Sequence, residues 1–248
     1  MAYQFAKGYP KGEFLLPSVT KIIGDCTDKS RALTQWSANQ VVAWIKLNCA
    51  KSRGNFPHYK CNDEQLNQAR FNFREVSDEA LAVGSAVHAA IEEYLLTGKE
   101  PNTDHSQVVS GFLAFLEFFD EHEMEAISVE QKVYGNYWAG TLDYFGWFKP
   151  DKDSPREKWV LDWKASKAHY AESHGPQIVA YASVVPECET RCGVVLLHKE
   201  TGFPDFKDYT KKYSRYLSEF NLMVPLFMVR HPRLAKAANW KGLDNANC

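Results

Sequence analysis

The chain has 248 residues, 45% of them hydrophobic and 24% charged, with a formal net charge of −2. That length can bury one substantial core, so a single α/β domain spanning 1–248 is expected. No apolar run reaches membrane-spanning length, and Met1 to Pro10 has neither a signal-peptide apolar region nor an Arg-rich character, so a cytoplasmic protein with no membrane partner is expected.

The near-neutral charge carries no global basic signature. A nucleic-acid partner would therefore have to be met by positive charge gathered locally. The six cysteines (Cys26, Cys49, Cys61, Cys188, Cys192 and Cys248) are scattered and form no C-x-x-C pair. They read as buried free thiols, because intracellular thiols usually stay reduced.

In chain order, Lys11 to Gly24 is an extended lead-in with a short helical start after Ser18. Ser30 is placed to cap a helix running to about Asn48, with Leu33, Trp36, Ala43, Trp44 and Leu47 at helical spacing. Lys51 to Arg74 is polar and broken by Gly54 and Pro57, with a helical piece around Glu64 to Arg74. Ser77 is a good N-cap, Asp78 and Glu79 suit the positive end of a helix dipole, and Gly98 suits its stop. On that helix Gly84, Val87, His88, Ile91 and Leu95 form an apolar stripe, so His88 faces inward. A further helix, about Ser106 to Glu123, carries Val108, Phe112, Phe115 and Phe119 on one face.

Strands follow. Ile127, Val129 and Val133 alternate, Gly135-Asn136 reads as a hairpin turn, and Trp138 to Phe148 as the return strand. Asp151 to Glu157 is a charged turn before a third strand, Trp159 to Ala165. A helix is predicted from near Pro176 to about Val185, then an apolar strand from Gly193 to His198. A long helix is predicted from near Asp208, which Pro225 must kink or end, and then a basic, loosely ordered tail from Arg230. A helix crossing between two strands of one sheet implies an α/β sandwich with a central mixed sheet flanked by helices. An N-terminal helical region (1–76) is added to a core (77–200) and a C-terminal helix with a basic tail (201–248).

Strand geometry places Val160, Asp162 and Lys164 on one face and Trp159, Leu161 and Trp163 on the other. An acid and a lysine two residues apart can act on one substrate, although Asp-x-Lys is a common tripeptide that by itself reads equally as a solvated strand face. Asp143 lies on the preceding strand after Gly140, a residue that permits close backbone approach. Two carboxylates on adjacent strands form a hard-oxygen site suited to Mg²⁺ or Mn²⁺. His88 is either a nitrogen ligand to that metal or a satisfied core histidine. Glu130 either joins the carboxylates or faces solvent. Gln177 and Tyr181, at i and i+4 on one helix face, either orient the lysine or form a polar helix edge.

Four segments, in order, resemble the motif set of the PD-(D/E)XK nucleases, and of their RecB-like exonuclease branch in particular. They are Gly84-Ser85-Ala86-Val87-His88 with Ile91-Glu92, Gly140-Thr141-Leu142-Asp143, Leu161-Asp162-Trp163-Lys164, and Gln177 with Tyr181. Leu16-Pro17-Ser18-Val19-Thr20 also resembles the opening of phage exonucleases and of the mitochondrial genome maintenance exonuclease. The resemblance implies a restriction-endonuclease-like core and metal-assisted hydrolysis of DNA. It implies metal ligation by His88, Asp143, Asp162 and the backbone carbonyl of Trp163, with Glu130 a less regular member. Lys164 would position or activate water, with Gln177 and Tyr181 in support. It further implies Mg²⁺ with Mn²⁺ as substitute, a phage or bacterial setting, and a replication or recombination protein as partner. Some RecB-like nucleases hold an iron–sulfur cluster on one early and three late cysteines. No close late triplet occurs here, so no cluster is expected.

DNA phosphates need local Lys and Arg. Lys167, just after the Asp-x-Lys strand, is the first candidate, followed by Lys51, Arg53, Lys60, Arg70 and Arg74. Phe56 and Tyr59 are interleaved with these and suited to stack on bases of a single strand. Lys211, Lys212, Arg215, Arg230, Arg233, Lys236 and Lys241 form a second basic region. The reading is a metal-dependent exonuclease favouring single strands or DNA ends. The alternatives are an endonuclease on the same fold and a silent nucleic-acid-binding protein.

Overall fold

The computed structural model describes residues 9–11, 14–52 and 58–242. The chain packs into two compact units, Met1–Thr27 together with Ala86–Cys248, and Asp28–Ser85. The expected division at 76/77 therefore falls inside the smaller unit, and the lead-in belongs with the larger one.

The lead-in forms a small antiparallel hairpin, β1 (Tyr9–Lys11) with β2 (Phe14–Leu16). It runs into α1 (Val19–Cys26), whose first turn is closed by Ser18 accepting from the Lys21 amide at 3.2 Å. α1 buries Val19, Ile22 and Ile23.

The smaller unit opens with α2 (Ser30–Asn48). Asp28, rather than Ser30, supplies the local anchor, accepting from both the amide and the hydroxyl of Ser30. The helical spacing of its apolar residues does not translate into a buried stripe: α2 has no buried residue, and Leu33 and Leu47 are exposed. Next comes a two-residue ladder between β3 (Ala50–Lys51) and β4 (Tyr59–Lys60). Cys49 and Cys61 flank it and are joined by a disulfide, their Cα atoms 5.4 Å apart. The expectation of free thiols throughout is corrected here, because the hairpin brings together two cysteines that spacing alone left unconnected. Cys188 and Cys192 are buried free thiols and Cys26 is a half-buried one. Cys248 lies outside the described residues.

α3 (Asp63–Thr97) is one helix of 35 residues. Ser77 is an interior residue and not an N-cap. Between Asp63 and Thr97 no proline interrupts the chain, and an interior serine costs only tenths of a kcal/mol, so two predicted helices merge. Gly98 ends the helix with φ 73°, the left-handed stop expected of it.

α4 (Ser106–Glu121) packs its Val108, Phe112, Phe115 and Phe118 inward. The sheet then runs β5 (Glu125–Tyr134), β6 (Ala139–Phe148), β7 (Glu157–Lys164), β8 (Cys192–Leu197) and β9 (Pro204–Asp208), in that spatial order. β7 and β8 are parallel and the other neighbours antiparallel. The parallel pair is connected through α5 (Ala171–Ala182). The sheet is therefore mixed and flanked by helices. β9 was not anticipated, since Pro204 and the charged Asp205, Lys207 and Asp208 obscure its alternation. Proline is tolerated as the first residue of such an edge strand. α5 begins five residues before Pro176, which sits inside the helix.

α6 (Tyr213–Arg230) starts later than Asp208 and continues through Pro225. The predicted loose tail includes α7 (Pro232–Ala237), which buries Ala235. Its cause is legible afterwards: Pro232 is a favoured first-turn residue.

Trp163 marks one face of the sheet, packing edge-on against Phe115 of α4 at 5.4 Å between ring centres. Val160 and Asp162, pointing the other way, meet the layer of α5, α6 and α1, with Ile178, Val179, Phe220 and Phe227 in its core.

Candidate metal centre and active site

The site forms where two strands part. The β6–β7 ladder runs from Phe148↔Glu157 to Tyr144↔Leu161, whereas β7 stays paired with β8 as far as Lys164↔Leu196. Beyond Tyr144 the Asp143 side chain takes up the next donor, accepting from the Trp163 amide at 2.7 Å. That amide orients the carboxylate, a role no sequence pattern reveals because every residue but proline carries the same donor. The Trp163 indole lies in the core at 1% exposure.

Glu130 stands across the β5–β6 ladder from Asp143, between the pairs Val129↔Tyr144 and Gln131↔Leu142. Its φ of 48° is left-handed. A non-glycine residue held there costs about 1–2 kcal/mol, and such strain recurs at functional sites. Ser128 bridges the distortion, donating from its hydroxyl to Gln131 Oε1 at 2.6 Å.

His88 comes from α3, where buried Val87 and Ile91 anchor its turn. Gly111 of α4 allows that approach, since a Cβ there would meet Val87 Cγ2 at 2.8 Å. His88 Nδ1 lies 3.6 Å from Asp143 Oδ2 and 3.9 Å from Glu130 Oε1. One ligand atom from each of His88, Glu130 and Asp143 lies within 4.8 Å of the others. His88 and Glu130 thus both stand beside Asp143. Two carboxylates and an imidazole are a donor set for a divalent cation such as Mn²⁺ or, with retained waters, Mg²⁺.

Asp162 is placed beside this trio and not within it. It is 1% exposed. Its Oδ1 accepts from Gln177 Nε2 at 3.1 Å, and Lys164 Nζ lies 2.6 Å from its Oδ2. That ammonium is the partner of Oδ2. Gln177 also reaches Tyr181 Oη at 3.5 Å, one helical turn on. Gly140 makes room for that tyrosine, since a Cβ there would run into the Tyr181 ring.

The electrostatics follow from crowding acids in a dry place. Burial, and next the Asp162 carboxylate, push the Asp143 pKa up to about 7. Burial opposes the His88 imidazolium, but Asp143 and Glu130 outweigh it and raise its pKa. Burial likewise opposes the Lys164 ammonium, and Asp162 and then Asp143 more than offset it, so its pKa is raised too. Lys164 is therefore a fixed positive charge here. Tyr181 is held neutral by burial and by the nearby Asp162 and Asp143.

The residues expected to touch DNA are dispersed. Lys167, 81% exposed, follows β7 closely and sits 3.6 Å from Glu200, a surface pair that contributes at most about 1 kcal/mol. Tyr59 on β4 and exposed Arg70 and Arg74 on α3 belong to the smaller unit, and both arginines lie over the Phe71 ring, at 5.3 and 4.9 Å. Arg53 and Phe56 fall outside the described residues. Arg230 is committed to structure, donating to the Asp25 carbonyl at 2.9 Å.

In comparisons with known proteins, no family model matches the chain, and no curated protein matches it.

Proposed function

We propose that the chain is a divalent-metal-dependent DNA exonuclease of the PD-(D/E)XK type, hydrolysing phosphodiester bonds with Mg²⁺ or, in its place, Mn²⁺. One observation carries the reading: the ligand atoms of His88, Glu130 and Asp143 converge within 4.8 Å at the point where β6 and β7 separate. The ordered motif resemblance supports it independently. A divalent cation held by these side chains would polarise a phosphate oxygen and lower the pKa of a bound water.

The chain's own residues divide the remaining work. Asp143 is aimed by the Trp163 amide, and Asp162 by Gln177. Asp162 in turn holds Lys164, whose ammonium is suited to orient a water or to meet negative charge gathering on phosphate oxygens. Lys164 Nζ, 2.6 Å from Asp162 Oδ2, serves as a positioned charge. Val160, Ile178 and Val179, near Asp162 and Gln177 in the chain, are fully buried in the core.

The test is digestion of end-labelled linear single- and double-stranded DNA with Mg²⁺ or Mn²⁺. Cleavage is expected with either metal and none with EDTA, and covalently closed circles are expected to be spared. Circles cut as readily as linear DNA would replace the exonuclease by an endonuclease on the same site. Binding without cleavage in any metal would leave a silent nucleic-acid-binding protein.

A further inference from the structure

α6 is apolar on two sides. Its buried side carries Phe220, Met223, Val224 and Phe227. Leu222, Leu226 and Val229, at i, i+4 and i+7, share another face and stand 73%, 43% and 59% exposed. A surface helix turns polar residues to water, and one that is apolar all round is a covered helix. The exposures show that no described part of the chain covers this second stripe. The stripe runs into a groove. After α6, His231 leads into α7, and Asn239, at φ 54°, turns the chain back. The Trp240 amide then donates to the Ala235 carbonyl at 2.9 Å. Val229, the last residue of the stripe, lines the resulting groove of about 460 Å³ with Met228, Pro232 and Trp240. Lys236 and Lys241 line it too, and none of its lining residues is acidic.

Charge decides what fits there. No acid occurs from Phe220 to Leu243, a stretch that holds Arg230, Arg233, Lys236 and Lys241. Asp25 of α1 reaches Arg230 and His231, at 3.5 and 3.1 Å. Arg233 and Lys236 are exposed, and among the described residues neither has an ion-pair partner. A second copy docked face to face would set these cations against each other. A nucleic-acid strand would meet the cations and leave the leucines wet. A lipid surface is flat and would not fill a concave groove. An acidic partner with an apolar stripe of its own satisfies both the charge and the stripe.

We infer that the α6 stripe and the α6–α7 groove form a docking site for an acidic amphipathic helix of another protein. The partner's apolar side chains lie along Leu222, Leu226 and Val229, and its carboxylates meet Arg233 and Lys236. Burial of the stripe supplies affinity, and the cations set the orientation of the helix and exclude basic partners. The surface shares no residue with the His88, Glu130 and Asp143 cluster, and the inference does not depend on the nuclease reading.

The experiment uses the full chain and a fluorescein-labelled helical peptide, with leucines at i, i+4 and i+7 and glutamates on its remaining surface. Anisotropy reads binding. The wild type is expected to bind this peptide, and more weakly as salt rises. Peptides with lysine for glutamate, or alanine for leucine, should bind at least about tenfold more weakly. Lys236→Glu should weaken the acidic peptide about three- to tenfold and tighten the lysine peptide by a similar factor. Leu222→Ala combined with Val229→Ala should weaken the acidic peptide at least about fivefold. All three side chains are exposed, so melting temperatures are expected to stay at the wild-type value. No binding by the wild type, or unchanged affinity in both variants, would overturn the inference. Pelleting with phosphatidylserine vesicles, or self-association in sedimentation, would also overturn it if lost in the double alanine variant while the peptide stays unbound.

Discussion

Glu130 and Asp143 are held in states that neither would choose alone. Glu130 has a left-handed backbone in the middle of a strand, and Asp143 is a buried acid beside two others. Replacing Glu130 by glycine should release the backbone and remove a ligand at once. Glu130→Gly is therefore expected to gain about 1 kcal/mol of stability while Mn²⁺ affinity falls at least about tenfold, by calorimetric titration against thermal unfolding. Loss of stability together with affinity would mean that Glu130 is a structural residue.

The pKa shifts give a second prediction at the same scale. Asp143 is raised from 3.8 to about 7, and His88 is raised as well. The folded metal-free protein thus binds protons more tightly than the unfolded chain. For Asp143 that stability is fully present below about pH 4 and is lost as pH rises through about 7. A cation competes with the same protons, so Mn²⁺ should bind more tightly as pH rises across that window and protect against unfolding more at pH 8 than at pH 6. Asp143→Asn should flatten the dependence, and a wild-type affinity unchanged between those values would contradict it.

Among the elements, the short β3–β4 ladder depends on its disulfide. Two paired residues on each strand cannot hold a hairpin, and of the described hydrophobic residues in the smaller unit only Cys49, Ala69 and Val83 are buried. Reduction of Cys49–Cys61 should cost this unit about 2–4 kcal/mol. Hydrogen exchange in the full chain is the check. Amides around Cys49, Tyr59 and Lys60 should lose protection in a dithiol reductant while those of β6 and β7 keep it. Equal protection with and without reductant would show that the hairpin stands by other contacts.

The same elements show what was legible in the sequence. Strand alternation separated Asp162 and Lys164 from the tryptophans, and i, i+4 spacing put Gln177 and Tyr181 on one helix face, because both periods are properties of local backbone. Helix boundaries were less secure. Ser77 looks like a cap, but a cap signal only decides where a helix starts if something stops the helix before it, and nothing between Asp63 and Ser77 does. β9 was hidden by its edge position, where charge and Pro204 replace alternation. The Cys49–Cys61 pairing and the Trp163 amide bond to Asp143 were invisible because each depends on chain segments meeting in space.

For the whole molecule, the larger unit gathers every residue of the candidate site: α3 supplies His88, β5 Glu130, β6 Asp143, β7 Asp162 and Lys164, and α5 Gln177 and Tyr181. Burying two acids, Asp143 and Asp162, is costly unless each is paired or meets a cation. No described helix is long and apolar enough to cross a membrane. The most direct measurement is the rate of nucleotide release from end-labelled linear DNA in Mg²⁺, wild type against Lys164→Ala. Metal-dependent release abolished by EDTA, and slowed about 10²–10³-fold in the variant, is the predicted result. No release from the wild type with Mg²⁺ or Mn²⁺, or equal rates from both proteins, would contradict the assignment of this site.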